Sequence, residues 1–291
     1  MPTSALPVIG FRELLVAFDF SDSSDRALQY AQAIARRHHS RIVLVHVVEG
    51  HVPVSPGTEW IEEDAVRIAD QLDAAGMALR EQGFEVESLN RFGALTQQVR
   101  DLAESRPIDL ILAGTHAGQG LDRAIFGSGA EKLARSIECP VMLIGPKCVQ
   151  AGDTWTPQRI LAATRLYPQR ARVAIFAAHL AYANHAQWKV MHVAHTGQPF
   201  EREAWEAYIE EIQHLSPDVI VGEHEKKVVL SERHAAQEIL DTARDCRADL
   251  VVMGVSHDSL GFTHFRRGAL GEVLAEATCP VIAVRHSSDH S

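Results

Sequence analysis

The sequence predicts an α/β protein built twice, as two tandem units that each carry a five-stranded parallel sheet with helices on both faces. Three observations predict it. Cys139-Pro140 and Cys279-Pro280 are each followed by four apolar residues, Val141-Met142-Leu143-Ile144 and Val281-Ile282-Ala283-Val284. Each pair is preceded, 25 positions earlier, by a glycine that ends a strand-like run, Gly114 and Gly254, so one 140-residue offset holds at every point. A repeat at a fixed period means two copies of one folding unit. Apolar runs also alternate with helical stripes, and strands that are apolar throughout belong to parallel sheets buried on both sides.

In the first half, residues 14–18 form a buried strand that ends at Asp19, and Ser21 opens a helix striped by Ala27, Leu28, Ala31 and Ile34. The run 42–48 is a second buried strand, and a loop from His51 to Gly57 leads to a long amphipathic helix over 59–82. A short strand over 84–89, a helix over 94–105, strand 109–113, a polar glycine-rich loop 114–128, helix 129–138 and strand 141–144 complete the unit. The second half repeats the order, with strands at 160–164, 189–193 and 226–230, helices at 200–215 and 234–247, and the later elements at the fixed offset. His192 answers His46 at an offset of 146, so the second half has lost a net six residues, assigned to the loop and the long helix. Residues 145–158 carry no periodic pattern, which sets the units at 1–145 and 159–291 with a linker over 146–158.

Length and composition bound the function. A chain of 291 residues carries a prior of about two domains. Its net charge of −10 divides into −6 for residues 1–150 and −4 for the rest, which argues against a broad nucleic-acid face. No apolar run approaches the roughly 18 residues that span a bilayer, and residues 1–7 lack the pattern of a signal peptide. The four cysteines include no Cys-x-x-Cys pair, and a reduced, cytoplasmic setting is the simplest reading. The 16 histidines are scattered, with no metal-ligand spacing.

In an open parallel sheet, ligands bind at the carboxyl ends of the strands, where strand order switches. Asp19, the pair Val47-Val48 and the loop from Gly114 to Ser128 all lie at such ends. Glycines let a backbone approach a phosphate, and a helix N-terminus offers unpaired N–H groups. Plain helix capping is the competing reading, because Ser128 and Glu131 have capping-box spacing. Walker, nucleophile-elbow and Gly-x-Gly-x-x-Gly motifs are absent.

The Asp19 strand end, Val45-His46-Val47-Val48, Asp109-Leu110-Ile111, Gly114-Thr115-His116, Gly127-Ser128 and Cys139-Pro140-Val141 together resemble the universal stress protein family, over nearly the whole chain and in its two-domain form. The resemblance implies Rossmann-like domains of the adenine nucleotide alpha hydrolase-like type that pack as a pseudo-dimer through 141–144 and 281–284. It implies Ala17, Asp19 and Val47 around an adenine base and its sugar, and Gly114, Gly127, Ser128 and Gly129 around the phosphates of ATP, held with Mg²⁺. Ala117 stands where the family's ATP-binding members carry the second motif glycine. A methyl there crowds a phosphate, though Gly118 next door offers the loop room to shift.

The second half departs further. Arg165 stands in the place of Asp19, His257 and Arg267 replace motif glycines, and Gly268 replaces the hydroxyl residue. A guanidinium only donates hydrogen bonds, so this copy is not expected to bind ATP in the family manner. Two readings stay open: Arg165 closes a vacant pocket, or Arg165, His257, Arg266 and Arg267 form a pocket for another anion. The expected function is a ligand-sensing or partner-binding module with an adenine-nucleotide site in the first half only. One alternative is slow ATP hydrolysis or self-phosphorylation, with Ser128 or Thr115 near the terminal phosphate. Another is a scaffold whose unidentified protein partner docks on the long helices 59–82 and 200–215. Whether the tandem unit dimerises further stays open.

Overall fold

A computed structural model of the chain describes residues 10–48, 59–115, 128–165, 171–195, 202–216, 226–231, 234–255 and 269–285. The elements of the first half are β1 (Glu13–Ala17), α1 (Asp22–His38), β2 (Arg41–Val48), α2 (Glu59–Glu81), β3 (Val86–Phe92), α3 (Leu95–Ser105), β4 (Leu110–Gly114), α4 (Ser128–Ser136) and β5 (Val141–Ile144). Those of the second are β6 (Arg159–Thr164), α5 (Arg172–Asn184), β7 (Gln187–His195), α6 (Arg202–Leu215), β8 (Lys226–Ser231), α7 (Ala235–Asp245), β9 (Leu250–Val255), α8 (Ala269–Glu276) and β10 (Val281–Arg285). No described helix is long and apolar enough to cross a membrane.

The ten described strands form one sheet in the order β3-β2-β1-β4-β5-β10-β9-β6-β7-β8. Pairing is parallel within each half. The halves join through one antiparallel contact in which Val281, Ile282 and Ala283 face Leu143, Met142 and Val141. The fully apolar strands therefore meet each other, which removes two edges that would otherwise template aggregation. Alternation along the strands splits the core by face. Leu14, Val16, Ile42 and Leu44 pack under α1, α2, α5 and α6, whereas Leu15, Val43, Val45, Ile111 and Ala113 pack under α3, α4, α7 and α8.

The duplication is visible in details no periodicity would reveal. Asp109 accepts from the backbone N–H groups of Arg12 (2.6 Å) and Glu13 (3.0 Å), tying the start of β4 to β1. Asp249 does the same to Gln158 and Arg159, both at 2.9 Å. Helices α1 and α5 both end on a left-handed histidine, His39 (φ 54°) and His185 (φ 52°). The deletion falls where expected, since α2 has 23 residues and α6 has 14. The sheet edges differ from expectation. β3 lies at Val86–Phe92 rather than 84–89, and β8 is slid by two residues, because Val47 faces Arg91 while its counterpart Val193 faces Val229. A two-residue slide preserves which face each side chain occupies.

The linker is not a loose tether. Tyr30 of α1 is fully buried, donates to the Val149 carbonyl at 3.0 Å, and meets Trp155 edge-on at 4.8 Å. Arg26 donates to the Pro146 carbonyl at 3.0 Å, and the Val149 N–H reaches across to Thr278 of the second half at 3.0 Å. Linker residues thus bind both halves, and Ile34, Met142, Trp155, Leu180 and Ile282 surround a small apolar cavity of about 20 Å³ at the seam.

Candidate functional site

In the first half the strand order reverses between β1 and β4, because the chain leaves β1 for β2 on one side and returns through β4 on the other. Asp19 and Gly114 stand at the carboxyl ends of these two strands, so the structure brings together the two residues the sequence singled out there. Ala17 is flanked by Val45 on one side and Ala113 on the other. Ala17, Val47, Leu89 and Leu95 are all partly buried on the α3/α4 face and together make an apolar shelf. Leu89 and Leu95 were missed in the sequence; the signal was Leu89's place in the strand alternation beside Val45.

Asp19 is exposed, and its Oδ1 accepts from the Ser21 hydroxyl (2.5 Å) and the Ser21 N–H (3.1 Å). Ser21 caps α1 in turn. Its side chain accepts from the Ser24 N–H at 3.2 Å, and the Ser24 hydroxyl accepts from the Ser21 N–H at 3.1 Å, a complete capping box. Desolvation, and then the neighbouring Asp22 and Asp19, raise the pKa of Asp25, so this end of the mouth is strongly acidic. Phe20 is held at φ 63°, a conformation costly for a bulky residue, with its ring 5.1 Å from Phe18 and 5.0 Å from His46. His46 Nδ1 lies 2.8 Å from the Phe18 carbonyl, which can only accept, so Nδ1 carries the proton.

Gly114 has a structural reason of its own. A Cβ there would lie 2.5 Å from the Ser23 carbonyl oxygen and 2.6 Å from the Ser24 nitrogen, and would also strike the Ser23 carbonyl carbon. Only glycine lets β4 approach the first turn of α1 so closely. Gly129 is exposed, and a methyl group added there would meet nothing within 4 Å. Ala117 and Gly127 lie outside the described residues.

One expectation is corrected. Thr115 is only 3% exposed, and its hydroxyl donates to the Ile144 carbonyl at 3.2 Å, so it is not placed to receive a phosphoryl group. Ser128 opens α4, and within that helix Glu131 pairs with Arg135 at 2.6 Å, an i,i+4 ion pair.

In the second half, Arg165 is exposed, and His257, Arg266 and Arg267 lie outside the described residues. The buried group at this strand end is Tyr208, 1% exposed, which sequence reasoning did not single out. Its hydroxyl lies 2.8 Å from Thr164 Oγ1 and accepts from the Ala174 backbone. Helix α5 has no side-chain cap of its own, so α6 supplies across the fold the acceptor that Ser21 supplies locally to α1. Burial raises the Tyr208 phenol well above its ordinary pKa.

The four cysteines are unpaired, and burial pushes the Cys139 and Cys279 thiols up to about 12. These are packing residues rather than nucleophiles. Among the described residues no group of three His, Cys, Asp or Glu side chains is arranged to hold a metal ion.

The model of the universal stress protein family matches residues 10–145 and again 157–285. The chain is 30% identical over 143 residues to universal stress protein A homolog 1 of Coxiella burnetii, covering 47% of this chain and 98% of that protein. It is 31% identical over 137 residues to a universal stress protein of Thermus aquaticus, covering 46% and 98%. A universal stress protein structure from Archaeoglobus fulgidus superposes with a TM-score of 0.74 at 14% identity, over 97% of this chain and 100% of that one. A Pseudomonas aeruginosa protein of unknown function superposes at 0.64 and 19% identity, over 96% and 94%. At these identities the structural likeness is one of fold.

Proposed function

The chain belongs to the universal stress protein family, and from that premise we propose that it is a two-domain stress-response module which senses an adenine nucleotide through its first half and acts on a protein partner. The units are 1–145 and 159–291, joined by the linker 146–158, and the setting is cytoplasmic, where four unpaired thiols stay reduced.

The observation that carries the reading is the mouth between β1 and β4. A flat base fits the shelf of Ala17, Val47, Leu89 and Leu95. Asp19, exposed beside it, accepts hydrogen bonds from ribose hydroxyls or an amino group. The charge pattern orients the ligand. Asp19, Asp22 and Asp25 make one end acidic, which suits the uncharged nucleoside and repels phosphates. The phosphates therefore run the other way, toward the α4 N-terminus at Ser128 and Gly129, whose unpaired backbone N–H groups suit an anion, while Gly114, packed on Ser23 between Asp22 and Asp25, stays at the acidic end. Mg²⁺ bound with ATP supplies charge neutralisation to the phosphates. The second half, with Arg165 in place of Asp19, is left out of nucleotide binding.

Calorimetry with ATP, ADP and AMP tests this. The wild type binds one nucleotide, and Asp19→Ala weakens binding at least about tenfold, the loss of a charge-assisted hydrogen bond. No binding by the wild type, or equal binding by Asp19→Ala, contradicts it.

A further inference from the structure

The second half keeps the shelf and inverts its polarity. Ala163 and Val193 occupy the places of Ala17 and Val47 and belong to the same face, with Val229 beside them. The two-residue slide of β8 sets Val229 directly against Val193, whereas in the first half the exposed Arg91 faces Val47. Level with Val193, the outer strand of this mouth is thus apolar where the first half's is charged. At its rim Arg165, two residues beyond Ala163, follows the strand alternation to the same side. It is exposed and makes no ion pair among the described residues. The opposite face of the same strand end is sealed, because Tyr208 occupies Thr164 and the α5 N–H. The α7 carboxylate of Glu238 is tied to the Ser231 hydroxyl at 2.7 Å.

We propose that the second half carries a separate site for a small anion with a flat, uncharged body, such as an aryl phosphate or aromatic carboxylate, seated on Ala163, Val193 and Val229 and held by Arg165. An acceptor-rich head meets a side chain that only donates, and the flat body covers the partly exposed Val193 and Val229 beside the buried Ala163. The first half selects a donor-bearing nucleoside with a carboxylate. The second selects an acceptor with a guanidinium. This inference does not depend on nucleotide binding by the first half.

The test uses the full chain and a matched pair of probes, 1-naphthyl phosphate and neutral 1-naphthol, in calorimetry at pH 7.5 and low salt. The wild type prefers the phosphate by about tenfold or more, the increment of a charge-assisted contact. Arg165→Gln abolishes the preference and leaves the urea midpoint unchanged, because the side chain is exposed. Val193→Glu weakens the phosphate. Arg91→Gln, which removes the exposed cation at the first half's mouth, leaves the preference intact. Equal affinities in the wild type, a preference that survives Arg165→Gln, or one lost in Arg91→Gln each overturn the proposal.

Discussion

Gly114 and Gly129 both flank the nucleotide mouth, yet alanine at the two positions has opposite consequences for folding. At Gly114 a methyl carbon would stand 2.5 Å and 2.6 Å from backbone atoms of Ser23 and Ser24, against roughly 3.4 Å for ordinary contact. The missing distance, close to 1 Å, has to come from moving β4 or the first turn of α1, since no flexible side chain is there to yield. Overpacking of this kind costs about 1–3 kcal/mol, and shifting the first turn also disturbs the Ser21/Ser24 capping box, worth about 1 kcal/mol. Gly114→Ala is therefore expected to lose about 2–4 kcal/mol, a fall of about 1 M in the urea midpoint. Gly129, helical and exposed with open space around it, gains up to about 1 kcal/mol on becoming alanine. Both are measured by urea unfolding without nucleotide, so ligand effects do not enter. A Gly114→Ala protein within about 0.5 kcal/mol of wild type, or a Gly129→Ala protein destabilised by more than about 1 kcal/mol, refutes the reasoning.

Two further outcomes follow from buried and paired groups. Tyr208→Phe leaves the α5 N–H without its acceptor and strips one of two hydrogen bonds from the Thr164 hydroxyl, which also donates to the Arg165 carbonyl at 3.2 Å. The substitution costs about 1–3 kcal/mol in urea unfolding, and the Tyr208→Phe, Thr164→Val double variant loses less than the two single losses added together. Strictly additive losses in the pair would show that the two hydroxyls do not act together. Arg106, by hydrogen bond and charge, holds the Glu87 carboxyl below the ordinary glutamate range, against an opposing contribution from burial and with added help from Arg41. A lowered folded-state pKa stabilises above the unfolded value, and the benefit is lost as pH falls through the folded one. The stability gap between wild type and Arg106→Gln should thus be widest near neutral pH and narrow below about pH 4. A gap that widens on acidification would contradict the assignment.

The parts of the fold that were legible in the sequence were those set by burial on both faces. Val141–Ile144 and Val281–Val284 are apolar because each closes the other's edge, and a continuous apolar run announces that from sequence. The bounds of β3 escape the sequence pattern because it is an edge strand whose Glu87, Ser88, Asn90 and Arg91 dilute the apolar signal. The order in the linker escapes it too, because Tyr30, Cys148, Val149 and Trp155 hold that segment by irregular contacts with no period to detect.

For the site, charge and position were legible but reasons were not. Asp19 and Gly114 were found at the strand ends, while the close approach to Ser23 that requires Gly114 depends on how tightly α1 sits on β4. Tyr208 has the sequence pattern of an ordinary helical core residue. Its role arises because α5, at 13 residues, is shorter than α1 at 17 and begins without a capping side chain. That is a tertiary substitution for a local motif, visible only once the two halves are laid side by side in space.

The asymmetry between the halves is tested most directly by native mass spectrometry of the full chain titrated with ATP. One nucleotide per chain is predicted for the wild type, none for Asp19→Arg, which copies the second half's residue into the first, and one for Arg165→Gln. Two nucleotides on the wild type, or one retained by Asp19→Arg, would contradict the assignment of nucleotide binding to the first half alone.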